Sequence, residues 1–76
     1  MNALMVAASE GRPEGIKCIM QKMGVYVNAE DKNGRTALHF ACAAGKSKNV
    51  RELLKNRYTL KDARTNGGIT PIMFAV

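Results

Sequence analysis

Aromatic residues make up only 5% of this 76-residue chain, histidine occurs once and cysteine twice, and no apolar run is long enough to cross a membrane. Each shortage excludes a class of protein. Cys18 and Cys42 are too few for the disulfide framework on which small secreted domains rely. Together with His39 alone they cannot close a tetrahedral zinc site without carboxylates. They read as reduced thiols of an intracellular, cytoplasmic or nuclear protein. The run Leu4 to Ala8 falls far below the roughly 20 residues of a membrane helix, and no basic segment leads into an apolar one at the start. The chain therefore reads as soluble and unprocessed, with no membrane insertion. Its glycines are too scattered for a phosphate loop or a dinucleotide fingerprint. Carboxylates are few, and Glu30 and Asp31 are neighbours in a turn, a place for solvated linker residues rather than an acid/base pair. Neither an enzyme nor a cofactor or metal site is expected.

What the chain does have is 46% apolar residues arranged with a period. A chain of this length buries only about 60% of its unfolded surface, so one marginal domain is the limit. Sliding the sequence along itself until Ala3 meets Ala37 lays Ala3-Leu4-Met5-Val6-Ala7-Ala8-Ser9-Glu10-Gly11 on Ala37-Leu38-His39-Phe40-Ala41-Cys42-Ala43-Ala44-Gly45. The same shift carries Gly34, Thr36, Leu38, Phe40 and Ala41 onto Gly68, Thr70, Ile72, Phe74 and Ala75, and pairs Ile16, Ile19 and Met20 with Val50, Leu53 and Leu54. The units fall at about 1–30, 31–64 and 65–76, the last incomplete.

Each unit reads as two short helices. Thr36 caps the first, Leu38, Ala41 and Cys42 share a face, and Gly45 ends it, with Gly11 as the matching left-handed glycine. Asn2 is the corresponding cap, and Thr70 precedes Pro71 at the favoured first helical position. In the second helix Val50, Leu53 and Leu54 point inward and Arg51, Glu52 and Lys55 outward. Gly15 and Asn49 weaken that inward stripe. Asn28 to Gly34 and Asp62 to Gly68 carry turn chemistry.

Asp31, Gly34, Thr36, Leu38, His39, Ala41, Gly45, Val50, Leu53 and Leu54 stand at the spacing of the ankyrin repeat, which the chain resembles over essentially its whole length; Ala37 replaces the proline of the T-P-L-H-x-A signature. Val27 to Asp31 looks like the family's linker into the next hairpin, and Gly24 stands where the preceding second helix should end. Tyr58 occupies the position equivalent to Gly24, where left-handed dihedrals would cost about 1–2 kcal/mol, with Asn56 as the substitute. The resemblance implies an all-α solenoid of helix pairs with projecting hairpins. In it, His39 serves the hairpin, bonding the Thr36 hydroxyl or neighbouring backbone, and Cys42 and Cys18 are small buried hydrophobes rather than nucleophiles. Met5 and Met73 take the place of His39 in the flanking units.

The resemblance further implies a non-catalytic module that grips a protein partner through hairpin tips and the exposed side of the first helices. The candidate contacts are Lys32, Asn33 and Arg35 at one tip, Asn66 and Ile69 at the next, and Ser9, Glu10, Ala43 and Ala44 along the helices. Arg35 and Ile69 are the expected anchors. By the same resemblance Asn28 is a candidate for oxygen-dependent hydroxylation, although Tyr26 stands where an acidic residue would favour it. Neighbouring repeats of a longer parent chain are expected, since the third unit stops at Ala75-Val76 without a second helix.

The net charge of +6 is concentrated. Residues 46–64 hold seven Lys/Arg against two acids, whereas residues 1–45 hold five against four. As an alternative to a purely solvated face, this stretch suits an acidic partner; nucleic acid is disfavoured because only Tyr58 interleaves the basic residues. A scaffolding segment within a multidomain protein is the remaining alternative.

Overall fold

Thr36 adopts an extended conformation, φ −101° and ψ 173°, and its backbone N–H donates to the His39 Nδ1 at 3.1 Å. An extended capping residue whose partner sits one turn on is how a helix start is satisfied locally, and the helix Ala37–Ala43 follows. The computed structural model describes residues 3–22 and 27–74, with α1 Ala3–Glu10, α2 Pro13–Lys22, α3 Ala37–Ala43, α4 Ser47–Leu54 and α5 Pro71–Phe74. No strand occurs among the described residues. The expectations for Asn2, Gly24, Tyr26, Ala75 and Val76 lie outside them.

The first helices form one row, α3 lying between α1 and α5, and the second helices lie behind it, α2 on α1 and α4 against both α2 and α3. Leu4, Met5 and Ala8 of α1 meet Ala37, Leu38 and Ala41 of α3, and Ile16 and Leu53 close the core from the second row. All of these are nearly or fully buried. Pro71 opens α5 as expected, because its missing N–H is one the first turn leaves unbonded anyway.

Several local expectations are corrected. Gly45 is left-handed at φ +69°, but Gly11 is not: the α1 ladder continues to it, and a Cβ there would lie 2.7 Å from the Ala7 carbonyl oxygen, so close approach explains this glycine. Neither Tyr58 nor Asn56 has a positive φ, so no left-handed strain is incurred. The Asn56 side chain instead accepts from the Tyr58 N–H at 2.8 Å, and its backbone carbonyl accepts from the Thr59 N–H at 3.1 Å, so the two together turn the chain. Leu54, expected inward, is 43% exposed.

Asn49 does not weaken the inward stripe. It is 2% exposed, and its Nδ2 donates to the carbonyls of Ala8 (3.1 Å) and Gly11 (3.0 Å), both at the C-terminal end of α1. Helix ends leave carbonyls without partners, and α4 satisfies these from the next repeat. Gly15, the equivalent position one repeat earlier, is exposed with nothing near its Cβ direction. A second polar clip is Asn28, whose Nδ2 donates to the Tyr58 carbonyl (2.6 Å) while its Oδ1 accepts from the Leu60 N–H (2.8 Å).

Replacing Asn49 by alanine strands the Ala8 and Gly11 carbonyls, so Asn49→Ala should cost about 1–3 kcal/mol in urea unfolding. Gly15→Ala should instead stabilise by about 0.5 kcal/mol, because the added methyl meets nothing and lowers the backbone entropy of the unfolded chain.

Candidate functional site: the hairpin ledge and the first-helix face

Asp31 builds the first hairpin tip. Its Oδ1 accepts the backbone N–H groups of Asn33 (2.8 Å) and Arg35 (2.9 Å), and its Oδ2 accepts from the Arg35 Nε at 2.8 Å. Thr65, the equivalent position one repeat later, uses one hydroxyl oxygen for the same purpose, accepting from Gly67 and Ile69, each at 3.2 Å. Both loops close with a backbone pair, Asp31 N–H to Arg35 and Thr65 N–H to Ile69, each at 2.9 Å. Gly34 at φ +80° and Gly68 at φ +81° supply the left-handed residue that such a reversal needs.

The tips are joined to one another. The Asn66 N–H donates to the Asn33 carbonyl at 2.9 Å and its Nδ2 to the Lys32 carbonyl at 3.1 Å. At Gly34 a Cβ would lie 2.9 Å from the Asn66 nitrogen, so glycine also permits this approach. Beneath, the His39 Nε2 lies 2.8 Å from the Ile69 carbonyl oxygen, and its Nδ1 lies 2.9 Å from the Thr36 hydroxyl. A backbone N–H can only donate and a carbonyl can only accept, so the contacts to Thr36 and Ile69 place the ring proton on Nε2. Both ring nitrogens are thereby engaged, and the histidine is architectural, as expected. His39 also meets Phe74 edge-on, with ring centroids 5.6 Å apart.

The expected contact residues do not form one cluster. Lys32, Asn33 and Asn66 are exposed on the ledge, Ile69 is 36% exposed, and Arg35 is half-buried with its guanidinium 4.9 Å from the Phe40 ring centroid. Ser9, Glu10, Ala43 and Ala44 lie at the other end of the first helices, about 10 Å away at 1.5 Å per residue. Glu10, Ala43 and Ala44 are exposed, whereas Ser9 is half-buried with its hydroxyl on the Val6 carbonyl. Between the two groups run Val6 and Phe40, which sequence reasoning missed: Val6 is 43% exposed and Phe40 half-buried. A signal for them exists, since the shift from one repeat to the next carries Val6 to Phe40 and Phe40 to Phe74.

The thiols differ. Cys42 is half-buried, and burial pushes its thiol above the ordinary value. Cys18, expected to be buried, is exposed, because Ile16, Ile19 and Met20 take the inward face of α2 and turn it outward. Among the described residues no group of His, Cys, Asp and Glu is arranged to hold a metal, and no helix is long and apolar enough to cross a membrane.

Comparison with known proteins agrees with this architecture. The family profile described as Ankyrin repeats (3 copies) matches residues 2–76. Human neurogenic locus notch homolog protein 4 is 40% identical over 95% of the chain, which spans only 4% of that protein's length. The human ASB11 ankyrin repeat domain superposes with a TM-score of 0.90 at 32% identity, over 99% of this chain and 33% of that one. A structure of the Bd0816 predatory endopeptidase from Bdellovibrio bacteriovorus in complex with immunity protein Bd3460 gives a TM-score of 0.88 at 33% identity, over 99% and 38% of the two chains.

The electrostatics of the first tip yield a pH test. Burial raises the Asp31 carboxyl, but the N–H groups of Arg35 and Asn33 and the Arg35 guanidinium outweigh it and hold the group below the usual carboxylate range. A depressed folded-state value contributes stability above the unfolded value, about pH 3.9, and that contribution is lost as pH falls through the folded value. Asp31→Asn should therefore flatten the decline in urea midpoint below about pH 4 relative to the unaltered chain.

Proposed function

The chain belongs to the ankyrin repeat family, and from that premise we propose that it is a non-catalytic protein-binding module that reads its partner through the hairpin ledge and the adjoining first-helix face. Ankyrin repeats are generally protein-protein interaction modules, and a fold of this kind is typically non-enzymatic. The observation that carries the proposal is the bonding of one tip to the next: Asn66 holds the Asn33 and Lys32 carbonyls, so the ledge is ordered before any partner arrives. Preorganisation lowers the entropic cost of association. Lys32, Asn33 and Ile69 are presented outward on this ledge, and Arg35 is braced by Asp31 and Phe40 with 40% of its side chain still exposed. Val6 and Phe40 extend the surface with apolar area toward Ser9, Glu10, Ala43 and Ala44. The units 1–30, 31–64 and 65–76 belong to the same proposal, and so does a place in a larger parent protein, in the cytoplasm or nucleus, where the two free thiols fit a reducing environment.

Asn28 carries a separate proposal, oxygen-dependent hydroxylation. Both ends of its amide are engaged by the 58–60 turn and it is only 8% exposed, so modification would require that turn to open. Intact mass of cell-purified protein should then include a species one oxygen heavier; a single unmodified mass would count against it.

With a partner identified by cross-linking, Arg35→Ala and Ile69→Ser should each weaken binding by about 1 kcal/mol or more while helicity is retained, and Lys48→Ala should leave affinity nearly unchanged. If Lys48→Ala and Arg51→Ala weaken it while the ledge variants do not, the partner uses the outer face and this reading is wrong.

A further inference from the structure

A groove of about 460 Å³ runs between the loop that joins α1 to α2 and the loop that joins α3 to α4. One wall is Gly11 to Glu14 and the other Gly45 to Asn49, so it lies at the end of the first helices away from the hairpin tips. Both walls come from the pairs α1–α2 and α3–α4, and the groove does not depend on any further repeat. Its width is fixed from beneath, because Asn49 stands in one wall and its Nδ2 is bonded to the Gly11 carbonyl of the other at 3.0 Å.

The groove is cationic. Arg12, Lys46 and Lys48 line it, all exposed, against Glu14 alone. None of the three cations is ion-paired within the described residues, where the pairs are Arg35 with Asp31 and Lys55 with Glu52. The repeat continues the pattern: the shift that lays Ala3 on Ala37 lays Arg12 on Lys46 and Lys17 on Arg51. Lys48 and Arg51 are one turn apart on α4, which leads the positive charge out of the groove along that helix. Unpaired like charges held together repel one another, so the cluster gives nothing to the fold and is relieved by an anion.

The lining also decides among anions. No aromatic residue stands in it, so nucleobases have nothing to stack on. Pro13 is its one apolar side chain, so neither an amphipathic helix nor the acyl region of a membrane finds a seat. A polar segment that brings carboxylates does, with the cations and the Ser47 hydroxyl as donors. A second copy of this chain, at a net charge of +6, is repelled. We propose that the groove between the two inter-helix loops is a second docking site, which takes an extended, carboxylate-rich segment of another protein, its acids toward Arg12, Lys46 and Lys48 and onward to Arg51.

The groove shares no residue with the hairpin ledge, so either reading can fail alone. The probe is a fluorescein-labelled peptide of alternating glutamate and glycine, titrated against the 76-residue chain by anisotropy and followed by backbone amide chemical shifts. Combining Arg12→Ala with Lys48→Ala should weaken binding about tenfold, with circular dichroism unchanged because both side chains are exposed. Replacing the glutamates of the peptide by glutamine, or raising the salt, should do the same. Lys32→Ala with Arg57→Ala removes equal charge elsewhere and should change affinity by less than about twofold. Amide shifts should concentrate at 11–14 and 45–49. No measurable binding at low salt overturns the proposal, as does equal loss from the two double variants, which would make the attraction diffuse. Shifts centred on the hairpin ledge overturn it too. So does inorganic phosphate displacing the probe at similar concentration, or a single-stranded or duplex oligonucleotide binding more tightly than it, since the ligand would then be a phosphate or a nucleic acid.

Discussion

One side chain joins the parts of this molecule. His39 receives the N–H of the residue that caps its own helix and reaches, through its other nitrogen, the Ile69 carbonyl in the next hairpin. A helix start, a hairpin and a repeat-to-repeat contact are thereby tied to one buried ring, 0% exposed. If the ring is misplaced, the Thr36 N–H loses its partner and the second hairpin loses its contact with α3. The ring's two faces of chemistry, acceptor at Nδ1 and donor at Nε2, match those two demands, which is why a lone histidine here is structural.

The rest of the stack repeats that strategy with asparagine. Asn28 clips the 58–60 turn, Asn49 caps the end of α1 from α4, and Asn66 holds the first tip from the second. A stretch of 76 residues buries a smaller share of its surface than a larger domain does. Directional bonds between repeats add register as well as energy, since the buried amides of Asn28 and Asn49 would be costly if their neighbours slipped. Among the described residues every buried side-chain nitrogen and oxygen has a partner, so the network is complete there.

This division of labour separates two kinds of surface. The hairpin ledge is polar, cross-linked and ordered in advance, with Arg35 fixed over Phe40 by the same carboxylate that shapes the tip. The groove between the inter-helix loops is polar and lined by cations. The ledge has its hydrogen bonds already made and offers side chains; the groove offers charge.

The repeat period, the helix pairs, the capping threonine, the bond between His39 and Thr36 and the place of Pro71 were legible in the order of residues. They rest on contacts three or four positions apart, or on a shift that compares the chain with itself. Cys18 and Leu54 show where that legibility stops: both belong to helices whose existence was evident, but which face of each helix is covered depends on its neighbours. Gly11 was misread because its requirement is the nearness of the Ala7 carbonyl, not its own dihedral angle. Asn49 was misread because its partners lie 38 to 41 residues away. The sequence by itself determined the repeating unit and its local bonds. Only the tertiary structure decided the ledge and the asparagine clips, because both depend on the distance between repeats, which packing sets and the chain's order alone does not contain.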